Sequence, residues 1–121
     1  MKLTLLEINQ SSRAWGDILN LSLPAKMSFI IEENIEILKN KNDLLLKKIS
    51  ELQEKYKDTP DVDYSAELEE LSLYEVDVSI KLISKDEFVD KASAVDNNII
   101  KASSIMLLDY MFKSAHEDEA Q

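Results

Sequence analysis

The chain contains no cysteine, one glycine, two prolines and one histidine in 121 residues, and only 7% of it is aromatic. Each shortage excludes something. Without cysteine there are no disulfides, thiolate metal sites or cysteine nucleophiles, and the usage fits a reducing compartment. A single glycine, Gly16, rules out the phosphate-binding and dinucleotide-binding loops, both of which need several. So few chain breakers point to long elements and away from an all-β sandwich or barrel. The lone histidine, His116, lies in the acidic run His116-Glu117-Asp118-Glu119. Neighbouring residues of a fraying tail do not build a preformed metal site or a Ser-His-acid triad. Asp58, Asp61 and Asp63 superficially resemble a calcium loop, but Pro60 interrupts it and the required glycine is missing. No catalytic, cofactor or metal site is expected, and the chain reads as non-enzymatic. No apolar run approaches the roughly 20 residues of a membrane span, and the first residues lack a signal-peptide pattern, so no membrane association is expected.

What the chain has in quantity is acid. The net charge is −10, and it is uneven: residues 1–57 carry nine basic and eight acidic side chains, residues 58–121 five and sixteen. Asp58, Asp61, Asp63, Glu67, Glu69, Glu70, Glu75 and Asp77 follow one another with no base between them. Such a surface repels phosphate and disfavours direct contact with nucleic acid. It is either a solvated, solubilising face or an attractant for a basic partner.

The apolar fraction of 45% suits one globular domain over residues 1–121. Thr4-Leu5-Leu6-Glu7 is a capping box, flanked by Leu3 and Ile8 as a hydrophobic staple, and opens a helix over about residues 5–20. Its apolar stripe runs through Ile8, Ser12, Trp15, Ile18 and Leu19, and Gly16 suggests a close-packed neighbour. Pro24 suits the first turn of a second helix over about 25–57. Here Ile31, Ile35, Leu38, Asn42, Leu45, Ile49, Leu52 and Tyr56 alternate in steps of four and three, a heptad seam with one polar member. The seam packs either within the chain or against another copy or partner. In the second case Asn42 would set register and oligomeric state, and its replacement by leucine would raise stability while loosening assembly. Replacing Leu45 and Leu52 by lysine would then abolish assembly.

After a turn around Pro60, Ser65 to Leu71 suits a short acidic helix. From Tyr74 to Leu82 apolar and polar residues alternate, which predicts a half-buried strand, with residues 98–101 as its local partner. Ser84-Lys85-Asp86-Glu87 is a second capping box. Val95 to Asn98 reads as a turn, and Ser103 or Ser104 as the cap of a last helix carrying Ile105, Leu108 and Phe112, with Met106 and Tyr110 beside them. Residues 114–121 are expected to fray. The fold class is therefore α+β, predominantly helical: an N-terminal helix, a long heptad-patterned helix, a short β element and a C-terminal helix.

Three segments carry a family resemblance: Met1-Lys2-Leu3-Thr4 running into a helix, Leu23-Pro24-Ala25-Lys26-Met27-Ser28-Phe29 heading a long charged helix that contains Asn34, and Glu75-Val76-Asp77-Val78 before a strand-and-helix ending. This layout resembles a family of small proteins of tailed phages of low-GC hosts. The resemblance implies a phage origin, hence the host cytoplasm or the virion, and a helix, long helix, strand, helix order. It implies no activity and no catalytic residues. The leading expectation is an accessory protein, for assembly or early infection, that acts through contacts with itself or with a phage or host protein. The rival is an acidic mimic of nucleic acid that inhibits a host nucleic-acid-binding or defence enzyme.

Overall fold

A computed structural model describes residues 1–113, so the expected fraying of residues 114–121 and the surroundings of His116 lie outside the described residues. The capping box at Thr4 is complete: Thr4 Oγ1 accepts from Glu7 N at 3.1 Å, and Glu7 Oε1 accepts from Thr4 N at 3.0 Å. It opens α1 (Leu5–Leu19). Leu3 and Ile8, the staple pair, are both buried. The buried face of α1 is Leu5, Ile8, Ser11, Ala14, Trp15 and Ile18. Its serine is thus Ser11 rather than the expected Ser12, and Leu19 is exposed. Ser11 tolerates burial because its hydroxyl bonds Ile8 O at 2.8 Å and lies 2.6 Å from the Tyr110 hydroxyl. Burial pushes the Tyr110 phenol above its ordinary value, opposed by Ser11 and by the indole N–H of Trp15, which closes no hydrogen bond of ordinary geometry.

Gly16 is a correction. It is exposed, and a Cβ placed there would meet nothing within 4 Å. No neighbour required this glycine, so Gly16→Ala should stabilise the protein by roughly 0.8–1 kcal/mol, the helix-propensity difference. A urea titration reads this directly as a higher midpoint at unchanged slope.

The short link of residues 20–24 is held by Asn98, whose side chain accepts from Ser22 N at 2.7 Å and donates to Ser22 O at 2.9 Å. It leads into α2 (Ala25–Tyr56). With 32 residues against 15 in α1, α2 is about 48 Å long and α1 about 22 Å. α1 folds back along the first part of α2. Ile31, Ile35, Leu38, Asn42 and Leu45 are buried there in the core, whereas Ile49, Leu52 and Tyr56 are half-buried. The seam is one pattern with two environments.

Asn42 has its partner inside the chain: Asn9 Nδ2 donates to Asn42 Oδ1 at 2.9 Å. The polar seam residue therefore sets the register of α1 on α2. Replacing either asparagine leaves the other short of a bond, while replacing both removes the mismatch. Asn9→Leu and Asn42→Leu should each lower stability by about 1 kcal/mol, and the double variant should recover most of it, a coupling readable in a denaturation cycle.

Beyond α2, α3 (Ser65–Ser72) is an eight-residue helix in which no residue is buried. β2 (Glu75–Asp77) is much shorter than the alternation predicts, and its partner differs. It pairs antiparallel with β1 (Lys2–Thr4), Leu3 opposite Val76, and Val78 N donates to Met1 O at 2.9 Å. Residues 98–101 form no strand. The ladder ends with the Val78–Met1 bond, and further along the backbone of Lys81 is taken by a side chain. Asn34, buried in α2, donates from Nδ2 to Lys81 O at 2.8 Å and accepts from Lys81 N at 2.9 Å through Oδ1.

β3 (Ile83–Ser84) runs parallel to β4 (Phe112–Lys113), and between them lie α4 (Lys85–Ser93), α5 (Ala102–Leu107) and a single 3-10 turn (Asp109–Met111). Ser84 accepts from Glu87 N at 3.3 Å and so caps α4. The residue before the first turn of α5 is Lys101, so neither serine caps it. Ser104 instead is buried and donates to Asp17 Oδ2 at 2.9 Å, which ties α5 to α1. Phe112 belongs to β4 rather than to the last helix, and its ring lies 4.8 Å from that of Phe88. Leu3, Val76, Phe88, Leu108 and Phe112 share one core with the buried faces of α1 and α2. The fold is predominantly helical α+β.

Candidate functional site

α2 outruns α1, and among the described residues α3 and the loop before it accompany its far end. A cleft of about 440 Å³ opens between them, lined by Lys48, Glu51, Leu52 and Lys55 of α2, Glu67, Glu70 and Leu71 of α3, and Tyr74. Leu52 and Leu71 are half-buried in it, and Tyr74 stands at its rim with 62% of its surface exposed. Leu73 beside it is 53% exposed.

Beside the cleft, at the end of α2, two tyrosines meet. Tyr56, the last seam residue, stacks on Tyr64 with ring centroids 5.1 Å apart and planes within 10°. Its hydroxyl donates to Glu67 Oε1. Lys55 Nζ stands 5.0 Å from the Tyr56 ring centroid and 4.0 Å from Glu67 Oε2. The contact with Tyr56, and then the Glu67 carboxylate, hold the Lys55 ammonium above its ordinary value. Asp63 accepts from Ser65 N at 2.9 Å across the start of α3, and that bond holds its carboxyl below the usual range.

The far end of the seam and part of the acidic stretch thus meet at one place. Leu52, Glu67 and Glu70 line the cleft and Tyr56 is bonded to Glu67 beside it, while Ile31, Ile35, Leu38, Asn42 and Leu45 are enclosed by the chain itself. Leu45 is buried, so lysine there would damage the core and the double lysine variant does not isolate an interface.

The eight acids do not form a single face. Asp58 and Asp61 lie in the loop, Asp63 at the start of α3, Glu67, Glu69 and Glu70 on α3, and Glu75 and Asp77 on β2 with side chains opposite to buried Val76. Sequence reasoning passed over Lys48, Lys55, Leu71 and Tyr74. The lysines flank the seam at helical spacing, which is a legible signal. Tyr74 was absorbed into the strand pattern, which hid its exposure.

Among the described residues no group of three or more His, Cys, Asp or Glu is placed to hold a metal, and no helix is long and apolar enough to cross a membrane. The cleft offers an apolar floor between charged banks. No protein-family model, curated protein or solved structure matches the chain.

Proposed function

We propose that this chain is a non-enzymatic accessory protein of tailed-phage type that works by binding another protein chain through the cleft between α2 and α3. The observation that carries the reading is the overhang of α2: its heptad pattern continues past the end of α1, and Ile49, Leu52 and Tyr56 keep the phase of a packed seam while remaining half-buried. Apolar positions in a sustained heptad pattern gain most when another chain covers them. The flanking charges supply orientation and selectivity more than affinity.

The test is affinity capture with the tagged chain from infected cells, wild type beside Leu52→Glu, each eluted through a salt gradient. Recovery of the chain itself or of phage proteins, retained at high salt and lost with Leu52→Glu, is the expected result. Capture that is indifferent to Leu52 overturns the reading. The acidic-mimic alternative draws on the exposed carboxylates of Asp58, Asp61, Glu69, Glu75 and Asp77. It requires a basic nucleic-acid enzyme released at moderate salt, as charge-dominated contacts are.

A further inference from the structure

The cleft carries two kinds of opposites side by side. The first is charge: the α2 bank presents Lys48 and Lys55 with Glu51 between them, a net positive bank, and the α3 bank presents Glu67 and Glu70. The second is shape: Tyr74 helps to line the hollow and yet leaves 62% of its surface open to solvent. A two-fold interface has to be complementary to itself, and a surface that holds both a protruding side chain and a hollow, with opposite charge on its two banks, supplies what that requires. In such an arrangement residue i of one copy meets residue j of the other, and j meets i.

We infer that the occupant of the cleft is a second copy of this chain, docked about a two-fold axis passing beside Leu52, with Tyr74 of each copy seated in the cleft of the other and Lys48 of each facing Glu70 of the other. This rests on the contact reading above and names its partner. The intramolecular bonds leave room for it. Glu67 is held by Tyr56 and Lys55, and Lys48 reaches Glu51 on its own helix at 3.3 Å, but both members of that last pair are about half exposed and free to exchange partners. Glu70 has no hydrogen-bond or ion-pair partner within the described residues. Tyrosine is the side chain best suited to anchor such a contact, since it brings a large rigid area with a polar tip.

The experiment is sedimentation velocity of the purified full chain across the micromolar range, with circular dichroism to confirm that each variant is folded. The wild type is expected to form a dimer. Tyr74→Glu, at an exposed position, should weaken it by roughly thirtyfold or more, as loss of an interface anchor does. Lys48→Glu and Glu70→Lys should each weaken it, because each sets like charges face to face. An equimolar mixture of those two variants should associate more strongly than either alone, because both cross-copy pairs are then opposite in sign. A folded wild type that stays monomeric, or a dimer in which mixing gives no recovery, overturns the self-pairing. Capture of a different protein that depends on Leu52 would also overturn it, while leaving the broader contact reading standing.

Discussion

Replacing Asn34 by leucine should destabilise the protein by about 2 kcal/mol, because it removes two hydrogen bonds at once. Asn34 is 1% exposed, and its amide serves Lys81 as a strand neighbour would, giving to the carbonyl and taking from the N–H. Leucine has similar bulk and no polar atoms. Lys81 is itself exposed, so water can reach its N–H and C=O once the amide is gone, and each lost bond costs roughly 0.5–1.5 kcal/mol. For a domain whose net stability is about 5–15 kcal/mol, that is a large share. The loss should also be local: hydrogen exchange at the Lys81 amide should accelerate far more than exchange in the middle of α2. The exposed Asn40 on the same helix provides the control, and Asn40→Leu should move the midpoint little.

Phe88→Ala should cost still more, about 3–5 kcal/mol, the range for emptying an aromatic site in a core. α4 has only two buried residues, Phe88 and Ala92, so Phe88 is the one large side chain that holds this helix down. Its ring also lies against Phe112, and β4 pairs with β3 immediately before α4. The cavity would therefore loosen α4 and the parallel pair together. Urea unfolding should show a large fall in midpoint, and amides of residues 83–93 should lose protection first. Val89→Ala, next to it on the exposed side of α4, should stay within about 0.5 kcal/mol of wild type.

The helices were legible because their signals are local. The box at Thr4 and Glu7, Pro24 at the head of α2, the steps of four and three from Ile31 to Tyr56, and the acidic stretch from Ser65 each mark a helix within a few residues of where it stands. The strands were not legible, for the opposite reason. β1 has three residues and β3 and β4 two each, too short for any periodicity, and what makes them strands is a partner far away in the chain. The alternation from Tyr74 to Leu82 does describe which side chains turn inward near its centre, since Val76 and Val78 are buried. It could not reveal that Asn34 takes over at Lys81. The candidate site was half visible. Leu52, Tyr56, Glu67 and Glu70 stood out by pattern, but that they share a cleft depends on how α3 folds back, which no local signal encodes.

The pairing of β1 with β2 also fixes an order of events during synthesis. Residues 2–4 leave the ribosome well before their partners, residues 75–77, which follow only after α1 and α2 have been made. α1 and α2 can associate as a hairpin early, through nearby contacts, whereas closing the β ribbon must wait for a long loop to be brought together, a step that slows folding. β4 imposes a second delay, because Phe112 completes the core from the far end of the described chain. Throughout that interval the inner faces of Leu3 and Phe88 stand open, and a nascent chain in this state is the form a chaperone would meet.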